Sequence, residues 1–194
     1  MNPKRKRLTA MSELRRQAIN SRRKMTAPER QLASVAIADR LIHCHEFTAA
    51  KSIACYLPMD DEVDPSRIVA RAWRAKKRIF CPVTDLCGGM NFCRLRPGTL
   101  LERNQFGIWE PVGEEHIAPP QLDLVVTPLV AFDDQRNRIG MGGGYFDRAF
   151  AFLKHRRRWL RPKLIGVAFD CQKVEKITPN PWDIRLYRII TESA

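Results

Sequence analysis

At 194 residues the chain is long enough to bury one hydrophobic core and short for two, so a single domain is expected. Its formal net charge of +13 is concentrated: residues 1–30 hold ten Lys and Arg against two acids, residues 154–163 hold six against none, and the remainder sums to −1. No apolar run approaches the length of a membrane span or a signal-peptide core, which argues against both and makes a soluble cytoplasmic chain the expectation.

Residues 1–10 read as a disordered basic tail. Met11 to Lys24 has a helical but highly charged pattern, broken at Met25–Pro28. Thr26-Ala-Pro-Glu29 is a capping box with proline in the first turn, which predicts a second helix from about Ala27 to Leu41. Leu32, Val35, Ala36 and Ile42 are candidates for its buried stripe. Ser52–Leu57 reads as a buried strand, Asp64-Pro65 restarts a helix to about Ala75, and Arg78–Val83 is the next strand. Strand, helix, strand is the basis of a parallel crossover. Further strands are expected at Asn91–Leu95, Leu122–Thr127, Lys163–Phe169 and Tyr187–Thr191, with a helix at Tyr145–Leu153. The pattern predicts one three-layer α/β domain over residues 11–194, with a mostly parallel open sheet and helices on both faces. Ligands collect where loops leave the carboxyl ends of such strands.

Cys44, Cys55, Cys81, Cys87, Cys93 and Cys171 include no C-x-x-C pair and read as small buried hydrophobes in a reducing compartment. His43-Cys44-His45 lacks a second ligand pair at zinc-like spacing.

The chemistry concentrates between Asp123 and Arg148. There an apolar strand, a charged turn and four glycines in five residues lead to Tyr145-Phe146-Asp147. Without a β-carbon, Gly142, Gly143 and Gly144 can reach φ > 0 and aim several N–H groups at one anion. Arg138 and Arg148 flank the turn with guanidinium forks suited to phosphate oxygens, and Asp147 offers a hard oxygen ligand for Mg²⁺. The loop is neither a Walker A motif nor a dinucleotide fingerprint, since no lysine or hydroxyl follows it and tyrosine stands at the sixth position from Gly140. A tight glycine turn between strand and helix is the bland alternative.

Arg138-Ile-Gly-Met-Gly-Gly-Gly-Tyr-Phe-Asp147, preceded by Pro128-Leu-Val-Ala-Phe-Asp133, resembles the signature of the 5-formyltetrahydrofolate cyclo-ligase family. Leu14-Arg15, Tyr56-Leu-Pro-Met-Asp-Asp-Glu-Val-Asp64, Gly166–Gln172 and Trp182-Asp183 agree in order, so the resemblance spans about residues 12–192. It implies an open α/β fold and an ATP- and Mg²⁺-dependent ring closure of 5-formyltetrahydrofolate, with or without a polyglutamate tail, to 5,10-methenyltetrahydrofolate. It further implies that Arg15 and the run Arg138, Ile139, Gly140, Met141, Gly142, Gly143, Gly144, Tyr145 and Phe146 hold the nucleotide, with Arg138, Tyr145 and Asp147 as the catalytic set. On the folate side it implies Met59, Glu62 and Asp64, together with Trp109, Tyr145 and the Met141–Gly144 loop. Asp147 and Asp183 are the implied metal ligands. Asp64 also reads as a helix N-cap, Trp109 as a packed tryptophan, and Asp183 as a loop acid satisfying nearby amides. One departure stands out: relatives often carry lysine four residues before Arg15, and here Met11 occupies that place, with Arg7 and Arg16 as substitutes.

A monomer acting on a small molecule is expected. The alternatives are a nucleic-acid-binding protein using Lys4–Arg7, the first helix and Lys154–Lys163, or a nucleotide-binding relative with another substrate. The first lacks any accompanying recognition motif.

Overall fold

Helix α1 (Pro3–Lys24) is followed by a two-residue break, Met25 and Thr26, and α2 (Ala27–Ile42). The break is where the capping box acts: the Thr26 side chain accepts the Glu29 N–H, and the Glu29 carboxylate accepts the Thr26 N–H at 2.6 Å. The chain continues through α3 (His45–Ala49), β1 (Ser52–Ala54), α4 (Ser66–Arg74), β2 (Arg78–Thr84), β3 (Met90–Leu95), β4 (Leu101–Arg103), β5 (Trp109–Pro111) and β6 (His116–Ile117). It then runs through β7 (Leu124–Pro128), β8 (Ala131–Phe132), β9 (Arg138–Ile139), α5 (Tyr145–Ala149), β10 (Lys163–Val167) and β11 (Arg188–Ile190). This computed structural model describes residues 3–85, 88–156 and 161–194, with side chains from Ala10 onward; Cys87, Arg157 and Arg158 lie outside the described residues.

Seven strands form one sheet in the order β11-β10-β7-β1-β2-β3-β6. The five from β11 to β2 are parallel, and β3 and β6 are antiparallel additions. Strands covered on both faces read as continuous apolar runs, as β1 and β7 do. One face packs Ile53, Ile79, Leu124, Val126 and Ile165 against Ile37 and Leu41 of α2, Phe47 of α3 and Ile68 and Ala72 of α4. The other packs Phe80, Phe92, Val125 and Leu164 against Phe150 after α5 and against Leu129, Ile184 and Leu186. The expected three layers are therefore present.

The chain steps from β1 outward to β2, but from β7 in the opposite direction to β10 and β11. Since β1 and β7 are neighbours, their following loops separate at a topological switch point, where open α/β sheets bind ligands. Those loops are residues 55–65 and 129–144.

Several sequence expectations need correction. The buried stripe of α2 is Ala33, Ile37 and Leu41, at i, i+4 and i+8, while Leu32 is 73% exposed and Val35, Ala36 and Ile42 are only partly covered. An alanine-rich helix leaves its register ambiguous by a step of about 100° per residue. The Tyr145–Leu153 helix stops at Ala149, where Phe150 leaves helical geometry (φ −106, ψ 12) and its ring enters the core; a 3₁₀ turn follows. Strand β3 returns antiparallel, so the second half does not repeat the first crossover. Cys44, Cys55, Cys81 and Cys93 are buried, and burial pushes the Cys55 thiol up to about 12, but Cys171 is exposed.

The hairpin β8–β9 that carries Arg138 is organised by Asp133, which is 2% exposed. Its Oδ1 accepts the N–H groups of Gln135 and Asn137, each at 3.0 Å, and its Oδ2 accepts Asn137 Nδ2 and the Ile177 N–H, each at 2.9 Å. Burial alone would raise its pKa, but these four donors outweigh that and hold it below the usual carboxylate range.

Two stability outcomes follow from these contacts. Thr26→Ala should lower the urea midpoint by the equivalent of about 1 kcal/mol with an unchanged m-value. Asp133→Asn places an amide N–H against a donor and should cost about 1–3 kcal/mol at neutral pH. Because the folded pKa of Asp133 is depressed, the stability difference should be full above pH ~4 and fade as pH falls through the lower folded value.

Candidate active site

The site has two walls, one on each loop that leaves the switch point, and helix α1 contacts both, through Arg15 and through Arg22. The first is the glycine loop. Gly140 to Gly143 are exposed, as is Met141, so the bend is open to solvent. Gly142 has φ +109 and Gly144 has φ +67, a region that disfavours any residue with a β-carbon. Gly144 is the N-cap of α5, so the loop's amides lead directly into free N–H groups of that short helix. A β-carbon on Gly143 would lie 2.9 Å from the Tyr145 ring. Arg15 of α1 closes one side: its Nε donates to the Gly140 carbonyl at 2.9 Å, and its Nη2 lies 3.7 Å from where a Gly142 β-carbon would stand. Arg148 closes the other, donating from Nη1 to the Gly143 carbonyl at 2.8 Å and from Nε to the Gly88 carbonyl at 3.0 Å while covering the Tyr145 ring.

Arg138 sits behind the loop. Its Nη2 pairs with Asp147 Oδ1 at 2.8 Å, its Nη1 donates to the Ile184 carbonyl, and 6% of its side chain is exposed. Asp147 Oδ1 also accepts the Ile184 N–H at 2.9 Å, which brings the backbone next to Asp183 against the first turn of α5. The Asp183 carboxylate itself turns onto Asn180, accepting its backbone N–H at 2.7 Å. Thus the two proposed metal ligands are drawn near through the chain between them, but each carboxylate has its own protein donors. Ile139 points away from the loop into the cluster with Ala18, Val130 and Ile177, and Phe146 packs on the lower sheet face.

The second wall is a cavity of about 290 Å³ between the start of α2 and residues 58–64, lined by Arg30, Ser34, Met59, Glu62 and Asp64. The three sequence-nominated folate residues therefore meet at one cavity. Glu62 accepts the Met59 N–H at 3.1 Å and leaves 10% of its side chain exposed; burial raises its pKa, against the pull of that N–H and of Arg22. Asp64 Oδ1 accepts the Ser66 N–H at 2.9 Å ahead of α4, but the N-cap position itself is held by Pro65, so Asp64 fixes the turn into the helix rather than capping it. Trp109 is 45% exposed on the β4–β5 hairpin with Arg103 stacked on it at 4.8 Å. It lies away from that cavity's lining.

Three residues that carry the arrangement were not singled out from the sequence. Phe106, at the hairpin tip, meets the Tyr145 ring edge-on with centroids 6.0 Å apart. Arg22 reaches from α1 to Asp61 and Glu62. Asp133 holds the Arg138 hairpin. Met11 packs with Leu14 on the cluster around Ala18, so at the place of the relatives' lysine α1 gains apolar contact rather than charge.

Can this donor set accept a nucleotide and a metal? Exposed amides around two left-handed glycines, with arginines on both sides, suit phosphate oxygens. Among the described residues no three His, Cys, Asp or Glu side chains gather into a metal-binding group. One or two carboxylates completed by phosphate oxygens is nevertheless the usual way magnesium is held beside a nucleotide, and Asp147 and Asp183 meet that description.

Comparison with known proteins bears on the whole arrangement. The profile of the 5-formyltetrahydrofolate cyclo-ligase family matches residues 7–192. The 5-formyltetrahydrofolate cyclo-ligase of Haemophilus influenzae is 33% identical over 184 residues, covering 92% of this chain and 95% of that protein. That of Escherichia coli K12 is 34% identical over 176 residues, covering 89% and 94%. The solved structure of Aquifex aeolicus 5,10-methenyltetrahydrofolate synthetase superposes with a TM-score of 0.80 at 29% identity, covering 95% of this chain and 90% of that one. With the glycine loop, the Glu62 cavity and the switch-point topology in place, the chain belongs to the 5-formyltetrahydrofolate cyclo-ligase family.

Proposed function

We propose that this protein closes 5-formyltetrahydrofolate to 5,10-methenyltetrahydrofolate with consumption of ATP in the presence of magnesium, releasing ADP and phosphate. The observation that carries the reading is the open glycine bend beside the Glu62 cavity at the ends of adjacent strands β7 and β1. Arg15 and Arg22 are seven residues apart on α1, nearly two turns, so they share a face about 10 Å apart. Each touches one wall. That span suits a pteridine whose polar edge rests on one wall while its formyl group reaches the other.

The chemistry explains why both walls are needed. A formyl group on N5 is an amide whose oxygen leaves badly. Transfer of a phosphoryl group to that oxygen makes it a leaving group; N10 then attacks the carbon and gives up its proton, and the oxygen departs in phosphate. Rate comes from alignment and from charge stabilisation of the moving group. The amides of Gly142, Gly143 and Gly144 and the guanidiniums of Arg15 and Arg148 supply fixed donors for phosphate oxygens. Arg138, already committed to Asp147, fixes that carboxylate at the first turn of α5. Magnesium held by Asp147, and by Asp183 once its carboxylate leaves Asn180, would neutralise charge on the transferring oxygens. Tyr145, met edge-on by Phe106, gives the open loop an aromatic border against which substrate can pack. On the folate wall, Glu62 accepts the adjacent N–H donors of the pterin edge, Met59 packs on the ring, and Asp64 borders the cavity. Trp109 serves the aryl arm from the hairpin.

Purified protein given 5-formyltetrahydrofolate, ATP and magnesium should form the methenyl chromophore, and omission of ATP or chelation of magnesium should abolish it. Asp147→Asn should reduce turnover about 100-fold or more while the fold persists. Gly143→Val, which drives a branched side chain into the Tyr145 ring, should raise the KM for ATP at least tenfold. Folded variants that retain wild-type kinetics would refute the site assignment.

A further inference from the structure

Arg22 is an arginine in a helix otherwise full of solvated charge, yet 3% of its side chain is exposed. Its Nη2 donates to Asp61 Oδ1 at 2.9 Å, and its Nη1 lies 3.9 Å from Glu62 Oε1. Its Nε is buried with no hydrogen-bond partner, as is Asp61 Oδ2. A partly satisfied buried charge network costs stability relative to apolar residues of the same shape. An arrangement that costs stability at the edge of a substrate cavity asks for a functional reason. We propose that Arg22 is a positioning residue: anchored on Asp61, it holds the Glu62 carboxylate ionised and aimed into the cavity, so that Glu62 can accept the pterin donors. The inference rests on the reading of Glu62 as the folate contact.

The surroundings make Arg22 the dominant charge on Glu62. Facing the same carboxylate are Asp60, Asp61 and Asp64 on its own loop, Tyr56 at the end of β1, Arg30 on α2 and Arg23 on α1. Cys171 lies near Arg22. Of these, Asp61 disfavours a charged Glu62. Arg23 is 69% exposed and is bound toward Asp61 at 3.5 Å. Arg22, with 3% of its side chain exposed, acts from within a medium that screens little, alongside the Met59 N–H that also favours the charged form. Burial already raises the Glu62 pKa, so loss of Arg22 would raise it further. If binding requires the carboxylate, affinity for the folate falls as pH drops through that pKa, and without Arg22 the fall begins at higher pH.

The test is the pH profile of KM for 5-formyltetrahydrofolate at saturating ATP and magnesium, in wild type, Arg22→Met, Arg22→Lys and Glu62→Gln. Arg22→Met should raise KM about tenfold at neutral pH, change kcat far less, and move the midpoint of the acid-side rise upward by about one unit. Arg22→Lys, keeping charge but not the planar fork, should retain the midpoint with an intermediate KM of about threefold above wild type. Glu62→Gln should raise KM and abolish the titration, and adding Arg22→Met to it should produce no new pH dependence. If Glu62→Gln leaves KM unchanged, the reading of Glu62 fails. If Glu62→Gln acts but folded Arg22→Met keeps the wild-type midpoint, the Arg22 inference alone is overturned. Should Arg22→Met not fold, Arg22→Gln, which also removes the charge, takes its place, and a wild-type KM and midpoint in that variant overturn the inference equally.

Discussion

Two arginines on one face of α1 tie together loops that leave the sheet at adjacent strands. Arg15 bonds the Gly140 carbonyl in the loop after β7, and Arg22 bonds Asp61 in the loop after β1. The sheet places the two strands side by side, but only a third element spanning both exits fixes how their loops face each other. Helix α1 docks through Leu14 and Ala18 on the β8–β9 hairpin, so its apolar contacts and its arginine contacts fix the same orientation. Removing Asp61 would leave the buried Arg22 guanidinium without its hydrogen-bonded partner, so the pair bears on stability as well as on the site. The site geometry and part of the stability of the fold are therefore one set of interactions.

The glycine loop has a similar double character. Its left-handed residues are tolerated because the flanking groups are committed elsewhere: Arg138 to Asp147, Arg148 to the Gly143 and Gly88 carbonyls, and Asp133 to four donors behind the hairpin. This leaves the amides unobstructed while the carbonyls are held by arginines. Such preorganisation is what phosphoryl transfer rewards, since little reorganisation remains to be done when charge develops.

Features fixed by local chemistry were legible in the sequence. The Thr26–Glu29 capping box, the apolar runs of β1 and β7, and the glycine bend ahead of Tyr145 each depend on residues a few positions apart. Long-range pairings were not. Nothing in the spacing of a basic helix distinguishes Arg22, which is buried against a loop 39 residues away, from Arg16, which stays in solvent with Glu13. The α2 stripe was misread because small residues lie on adjoining faces, and which face is buried is decided by α4 and the sheet. Asp183 shows a third limit. The loop-acid alternative describes its present contact, an Asn180 N–H, and a sequence cannot rank that amide against a ligand that competes for the same carboxylate.

If the two loops bridged by α1 hold two different molecules, nucleotide on the glycine bend and folate at the Glu62 cavity, each ligand perturbs its own loop. Amide chemical shifts of the ¹⁵N-labelled protein test it most directly, titrated first with a non-hydrolysable ATP analogue and magnesium, then with 5-formyltetrahydrofolate. The nucleotide should move the Gly142, Gly143 and Gly144 signals, and the folate those of Met59 and Glu62. A nucleotide that leaves the glycine amides untouched, or a folate that shifts neither loop, would contradict it.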